Sequence, residues 1–275
     1  MKALIKIGGS LLDDPAARHD IARQIALVAE LGWQVTVVHG GGKQMTRFLE
    51  ERGIKSNFVR GLRVTTEETI DAVLKVLAGS VNTQLVSALG LAGVKAVGLT
   101  GIDAGLAVAD RLDPDLGFVG RVVTSEPHIL RTLTGAGYVP VVACVAGGTQ
   151  GEVFNVNGDS MAVAVASNWY VDRLVFLTDV AGVLDASKSV VPLLTIDDCN
   201  RLISSGVATG GMQAKLNAAT DAVAHGVREV RIVKGSEPDI VTRVFGNEEI
   251  GTRVISSWVV SDWVIPESSR EKVND

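Results

Sequence analysis

The chain has 275 residues, 47% of them hydrophobic and 4% aromatic, with 30 glycines, which is enough for a full-sized α/β unit as one domain or two lobes. A net charge of −5 with no basic run argues against a nucleic-acid surface. An uninterrupted apolar stretch of about 18 residues, the length of a membrane span, is missing, and no basic-then-apolar leader opens the chain, so no membrane and a cytoplasmic place are expected.

Strand and helix patterns alternate along the chain. Residues 2–7 and 34–39 read as strands. The helix between them carries the stripe Ile21, Ile25, Val28 and Ala29, with Gly32 suited to its C-terminal cap. A helix follows at about 43–52. Thr65 and Glu68 have capping-box spacing before another helix with the stripe Ile70, Val73, Leu74 and Leu77. A separate helix at about 81–92 leads into the strand VKAVGL. Residues 101–124 read as loop-rich, with one short strand near GFVGRVV. A helix from Ser125 then leads to the apolar strand YVPVVACV.

The second half repeats this style, with a helix from about Asp159, the strand RLVFLT, helices at about 196–205 and 211–225, the strand REVRIV, a helix near 238–245 and the strand GTRVI. The pattern predicts a doubly wound α/β/α sandwich with ligands at the carboxyl ends of its strands. A first lobe ends near residue 155, a second covers 156–255, and the tail 256–275 carries two tryptophans before a polar end. Cys144 and Cys199 have no metal-ligand spacing and read as buried reduced thiols.

Six short stretches carry candidate chemistry. Lys6-Ile7-Gly8-Gly9-Ser10 ends a strand in glycines, which lets backbone N–H groups approach an anion beside a lysine. His39-Gly40-Gly41-Gly42 ends another strand and opens a helix, which is again an anion site by geometry. Neither is a Walker A loop. Arg63 precedes a helix and could hold a carboxylate through two hydrogen bonds, or could be a surface ion pair. Asn155, Asn157 and Asp159 alternate on an extended segment and could converge, or Asp159 could simply stabilise a helix start. Residues 178–184 and Gly210–Lys215 are strand-end and helix-start stretches, the latter placing Lys215 within reach of a phosphate.

The order and spacing of these stretches resemble the amino-acid kinase family. The resemblance covers residues 2–255 and rests on KIGGS, HGGGK, GLRVT, AGSVN, AVGLTGIDAG, GFVGRV, NVNGD, LTDVAGVLD, GGMQAK and GTRVI. It is strongest to members that phosphorylate N-acetyl-L-glutamate in arginine biosynthesis. It implies a three-layer α/β/α sandwich with an open, mostly parallel eight-stranded sheet. The lobe 1–155 would hold the amino-acid substrate and form a homodimer, and the lobe 156–255 would hold ATP. Lys6 and Lys215 would flank the transferred phosphoryl group, with Asp159 positioning both and Gly9 contacting it. Gly41, Gly42, Arg63 and Asn155 would bind the acylated glutamate. Asp179, Val180, Ala181, Gly182, Val183, Leu184, Val207, Ala208 and Thr209 would line the nucleotide site. Mg²⁺ would be held by ATP phosphates and water rather than by protein side chains.

The chain departs from the family pattern at Lys43, where proline is usual, at Thr83, where VNK is common, in a short segment after Leu184, and in its tail. The stretch before Lys2 lacks the helix that builds arginine-sensitive hexamers in some relatives, so a dimer without arginine inhibition is expected. Three alternatives stay open: a related N-acylglutamate as substrate, aminoadipate or glutamate on a carrier protein, and a non-catalytic amino-acid or nucleotide sensor.

Overall fold

The structure is a computed structural model and describes residues 1–256. The two tryptophans of the tail, Trp258 and Trp263, lie outside the described residues. One eight-stranded sheet runs through the molecule in the order Leu193–Thr195, Thr252–Ile255, Glu229–Lys234, Arg173–Thr178, Lys2–Ile7, Gln34–His39, Val139–Ala143 and Ala96–Thr100. All neighbouring pairs are parallel except Glu229–Lys234 with Thr252–Ile255. Helices cover both faces, as the alternation of strand and helix predicts.

Alternation along the first strand decides the layers. Ala3, Ile5 and Ile7 enter one core, which includes helix Pro15–Glu30. Leu4 enters the other, which includes helix Gly158–Trp169. The two cores therefore divide by face of the sheet, and each draws residues from both sides of residue 155. Lys6 shares the face of Leu4, which aims it at the start of helix Gly158–Trp169. At the opposite end of the sheet the buried Glu229 carboxylate receives Arg173 at 3.1 Å, Arg253 at 2.9 Å and Arg231, tying three strands together.

Several local expectations are corrected. The helix cap in TTEET is Thr66, whose hydroxyl accepts from the Thr69 N–H; Thr65 is buried and bonded elsewhere. The helix expected from TTEET and the separate one expected at about 81–92 are one continuous run from Glu67 to Leu91, joined by the π-helical turn Leu74–Val81. By length and composition alone this run could cross a membrane, but half of its most apolar stretch is buried inside the protein. Residues 107–156 contain a small four-stranded barrel built from Ala107–Arg111, Val119–Ser125, Val145–Gly147 and Val153–Val156. Ser125 ends a strand of that barrel, and the next helix begins only at His128.

Candidate active site

The parallel register places three loops at one edge. Ile7 pairs with His39 and Leu177, and His39 with Ala143, so all four strands end on the same side. Helices Gly9–Asp13, Gly42–Glu50, Gly158–Trp169 and Gly210–Ala224 follow the chain's Gly-rich stretches there. A Cβ on Gly9 would lie 3.0 Å from the Gly41 Cα and the Gly42 N, so the two glycine turns meet backbone to backbone. Unoccupied N–H groups at helix starts attract anions. Gln44 ties the two turns by donating to the Gly9 carbonyl at 2.9 Å.

Beside this junction the Asp159 carboxylate stands between two lysines. Lys6 Nζ lies 2.8 Å from its Oδ1, and Lys215 Nζ lies 3.2 Å from its Oδ2. All three side chains are largely buried. Burial alone would raise the Asp159 pKa, but the two ammonium groups outweigh it and hold the carboxyl below its ordinary value. Two cations and one anion leave the cluster with one net positive charge. Gly158 makes the approach possible, since a Cβ there would lie 3.1 Å from Lys6 Cε. Asn157 does not converge with its neighbours on a ligand; its Oδ1 caps the helix by accepting from the Asp159 and Ser160 N–H groups.

Next to the lysines is a cavity of about 170 Å³ lined by Gly41, Gly42, Phe58, Arg63, Asn155 and Gly158, among others. Arg63 reaches it from a hairpin whose turn, Arg60-Gly61, has positive φ at both residues. Its guanidinium donates to the Gly42 carbonyl at 3.1 Å, to Thr46 Oγ1 at 2.7 Å and to Ser56 Oγ, and it lies over the Phe58 ring. Burial lowers its pKa, with Glu50 opposing. Asn155 is fixed by Thr65, whose hydroxyl accepts from Asn155 Nδ2 at 3.1 Å. Arg63 and Asn155 thus converge on one cavity, beside the glycine turns and the paired lysines.

His39 serves as an anchor. It is fully buried, and burial pushes its pKa down to about 4, so the ring is neutral near pH 7. Nδ1 faces the Gly40 carbonyl at 2.9 Å and Nε2 faces Asn82 Nδ2 at 3.0 Å, which assigns the proton to Nδ1. Cys144 also lines the cavity, and burial pushes its thiol up to about 12, which leaves it protonated.

The residues expected around a nucleotide follow strand Arg173–Thr178 and precede helix Gly210–Ala224, which carries Lys215. Thr209 precedes helix Gly210–Ala224 and provides no side-chain cap, so its first N–H groups are without a capping side chain. Val183 and Ala208 are buried, so only their backbone atoms are suited to a ligand. Gly182 is required by space, since a Cβ would lie 2.8 Å from Thr252 Oγ1 and Val190 Cγ1. After Leu184 the chain turns back at once, pairing Leu184 with Val190 around an Asp185-centred loop.

Comparison with known proteins fits this arrangement. A model of the amino acid kinase family matches residues 1–234. The chain belongs to that family. It is 57% identical to an acetylglutamate kinase of Solibacter usitatus over 94% of this chain and all of the relative. It is 44% identical to an acetylglutamate kinase of Cereibacter sphaeroides over 92% of this chain and 87% of the relative. The crystal structure of smu.665 from Streptococcus mutans superposes with a TM-score of 0.81 at 29% identity, over 93% of this chain and 99% of that one. The same fold occurs in an N-acetylglutamate synthase of Neisseria gonorrhoeae complexed with coenzyme A and N-acetyl-glutamate, with a TM-score of 0.84 at 23% identity, covering 93% of this chain and 59% of that one.

Among the positions where this amino acid kinase departs from the usual motifs, Lys43 is exposed in the first turn of helix Gly42–Glu50. Asn82 is buried and bonds His39 and the Val141 carbonyl, whereas Thr83 is exposed. Sequence reasoning gives no site role to Thr65, Gln44, Gly158 or Leu77, although Thr65 and Gly158 lie within GLRVT and NVNGD. Only Gly158 carried a signal, since a glycine between an N-cap Asn and an Asp leaves room at a helix start. The others matter through contacts between distant segments.

Proposed function

We propose that this protein transfers the γ-phosphoryl group of ATP to the γ-carboxylate of N-acetyl-L-glutamate, giving N-acetylglutamyl 5-phosphate and ADP in arginine biosynthesis. The pairing of Lys6 and Lys215 on Asp159, beside the cavity of Arg63 and Asn155, is the observation that carries the reading. The names of the relatives at 57% and 44% identity support the choice of substrate.

The chemistry asks for charge control more than proton transfer. A γ-carboxylate is ionised at neutral pH and needs no general base. The barrier lies in bringing anions together and in charge moving onto the leaving ADP oxygens. Lys6 and Lys215 would flank the migrating group, and the Gly9, Gly41 and Gly42 amides would face the attacking carboxylate or the phosphoryl oxygens. Asp159 keeps the lysines in place without presenting an unbalanced negative charge. Arg63 and Asn155 would hold the α-carboxylate. Asp179–Leu184 and Val207–Thr209 would line the nucleotide. Mg²⁺, which neutralises phosphate charge, would be carried by ATP and water, since both Asp159 oxygens already face lysines.

The same proposal divides the chain into an acyl-amino-acid lobe, 1–155, and a nucleotide lobe, 156–255, in a cytoplasmic homodimer. The half-exposed strand Ala96–Thr100, which ends the sheet, supports pairing with a second copy. Purified protein incubated with ATP, Mg²⁺ and hydroxylamine should form hydroxamate with N-acetylglutamate and far less with glutamate or aspartate. No hydroxamate from N-acetylglutamate would overturn the reading. Light scattering at the mass of one chain would overturn the dimer.

A further inference from the structure

The acyl-amino-acid cavity does not end at Arg63. It shares Leu62, Val119 and Asn157 with a larger groove of about 810 Å³. The groove runs from Asp159 between helix Gly158–Trp169, helix Gly210–Ala224 and the barrel strand Val119–Ser125. Its floor on the second helix is the stripe Ala214, Asn217, Ala218, Asp221 and His225, a face distinct from Lys215.

Two features mark the groove as a place for a ligand group. Ser125 and Ser167 line it at 4% and 9% exposure, and the hydroxyls of both are buried without a hydrogen-bond partner. Buried hydroxyls are nearly always bonded, so these two leave unused hydrogen-bonding capacity in the groove wall. Arg121 is the second feature. Arg60 is paired with Asp113 and His225 faces Asp221, but the Arg121 side chain, opposite Asp110 on the paired strand, has no ion pair or hydrogen bond among the described residues. Of the carboxylates that line the groove, Asp159 is matched by two lysines and Asp221 faces His225, which is a cation only when protonated.

Resting on the acylglutamate-kinase reading, we propose that this groove receives the substrate's N-acyl group when it is longer than acetyl, and favours acyl groups that end in a carboxylate. An acyl chain leaving the cavity at Leu62, Val119 and Asn157 would pass along the apolar walls Val163 and Ala164 towards the unmatched Arg121. The phosphoryl chemistry at the other end of the glutamate would be unaffected, so acyl length would alter KM more than turnover.

The test is steady-state kinetics with N-acetyl-, N-butyryl- and N-succinyl-glutamate on the full chain. The wild type should use N-succinylglutamate with a kcat/KM within about tenfold of that for N-acetylglutamate. Ala164→Phe and Ala218→Phe fill the groove from two helices. Each should lower kcat/KM for the two longer acyl groups by about tenfold or more and leave the acetyl substrate within about twofold, the scale expected when a pocket is blocked. Arg121→Ala should weaken N-succinylglutamate by about tenfold and N-butyrylglutamate little. Turnover of the acetyl substrate with neither longer one would overturn the groove assignment and leave the kinase reading standing. So would filling variants that lower all three alike while melting at the wild-type temperature. Failure of all three substrates in the wild type would overturn both.

Discussion

Lys6 and Asp159 meet at 2.8 Å, the lysine at the carboxyl end of the first strand and the carboxylate in the first turn of helix Gly158–Trp169. Lys215 closes the other side at 3.2 Å. Replacing Asp159 with Asn keeps the shape and removes the charge that holds both ammonium groups. The Asp159→Asn variant should lose about a hundredfold in kcat, about 2.7 kcal/mol of transition-state stabilisation. The pH dependence has a fixed sign. The folded Asp159 carboxyl is held below its unfolded value, so its contribution to stability is present above about pH 3.9 and disappears as pH falls through the lower folded value. Denaturant titrations of wild type and variant should therefore converge in strong acid. A constant difference between them down to the lowest accessible pH would contradict the ion cluster.

The two lysines should affect rate more than binding. Lys215→Ala is expected to lower kcat by more than about tenfold, at least about 1.4 kcal/mol. Lys6→Ala should do the same with a smaller change in the KM for ATP. Near-normal turnover in either variant would remove that lysine from the mechanism, and a change confined to the ATP KM would make it a nucleotide anchor instead.

Gly41 is extended, with φ of 177°, so what it requires is space. A Cβ there would fall 2.4 Å from Leu77 Cδ2. Leu77 belongs to the π-helical turn Leu74–Val81, and Asn82, five residues on, bonds His39 at the base of the same loop. In an α-helix residues five apart differ by about 140° in direction, whereas i→i+5 bonding brings them closer to one side. The π turn thus lets one helix touch both ends of the His39–Gly42 loop. Gly41→Ala should cut kcat about tenfold or more, and adding Leu77→Ala should restore part of it. Effects that simply multiply in the double variant would show that the two positions do not act through this contact.

These contacts also explain what was legible beforehand. KIGGS, HGGG, NVNGD and GGMQAK lie at strand ends and helix starts, where local residue type carries the meaning, and periodicity identified seven of the eight sheet strands. Leu193–Thr195 is only three residues long and partly exposed, too short for a period to register. The π turn was invisible because Leu74–Val81 keeps an apolar pattern that suits the end of one helix and the start of another. Thr65 looked like a cap because Glu68 is three residues away, but pairing with residues 116–118 draws it into a strand-like segment and leaves Thr66 as the cap. The division at residue 155 follows the chain, whereas the cores follow the faces of the sheet, which no local pattern reveals.

Arg63 has two roles that kinetics can separate. Its guanidinium faces the cavity it shares with Asn155 and also holds Gly42 and Thr46. Arg63→Ala should raise the KM for N-acetylglutamate about tenfold or more, with a smaller fall in kcat from the loosened glycine turn. Arg63→Lys should not restore the KM, because an ammonium group lacks the planar fork. An unchanged KM would refute the carboxylate clamp.

His39 gives a pH signature unrelated to catalysis. Its folded pKa of about 4 lies below the ordinary 6.5, because burial penalises the charged ring. A depressed folded value means stability that is fully present above pH 6.5 and declines as pH falls towards 4, by about 3 kcal/mol in all. Protonation would also turn Nε2 into a donor facing the Asn82 amide, which cannot accept there. Wild-type stability from urea titrations should therefore slope downward between pH 6.5 and 4. His39→Gln should be less stable at pH 7 and flatter across that range, while the wild-type kcat should show no inflection attributable to His39 between pH 6 and 8. An inflection near pH 6.5 that disappears in His39→Gln would give this histidine a part in the reaction that its burial argues against.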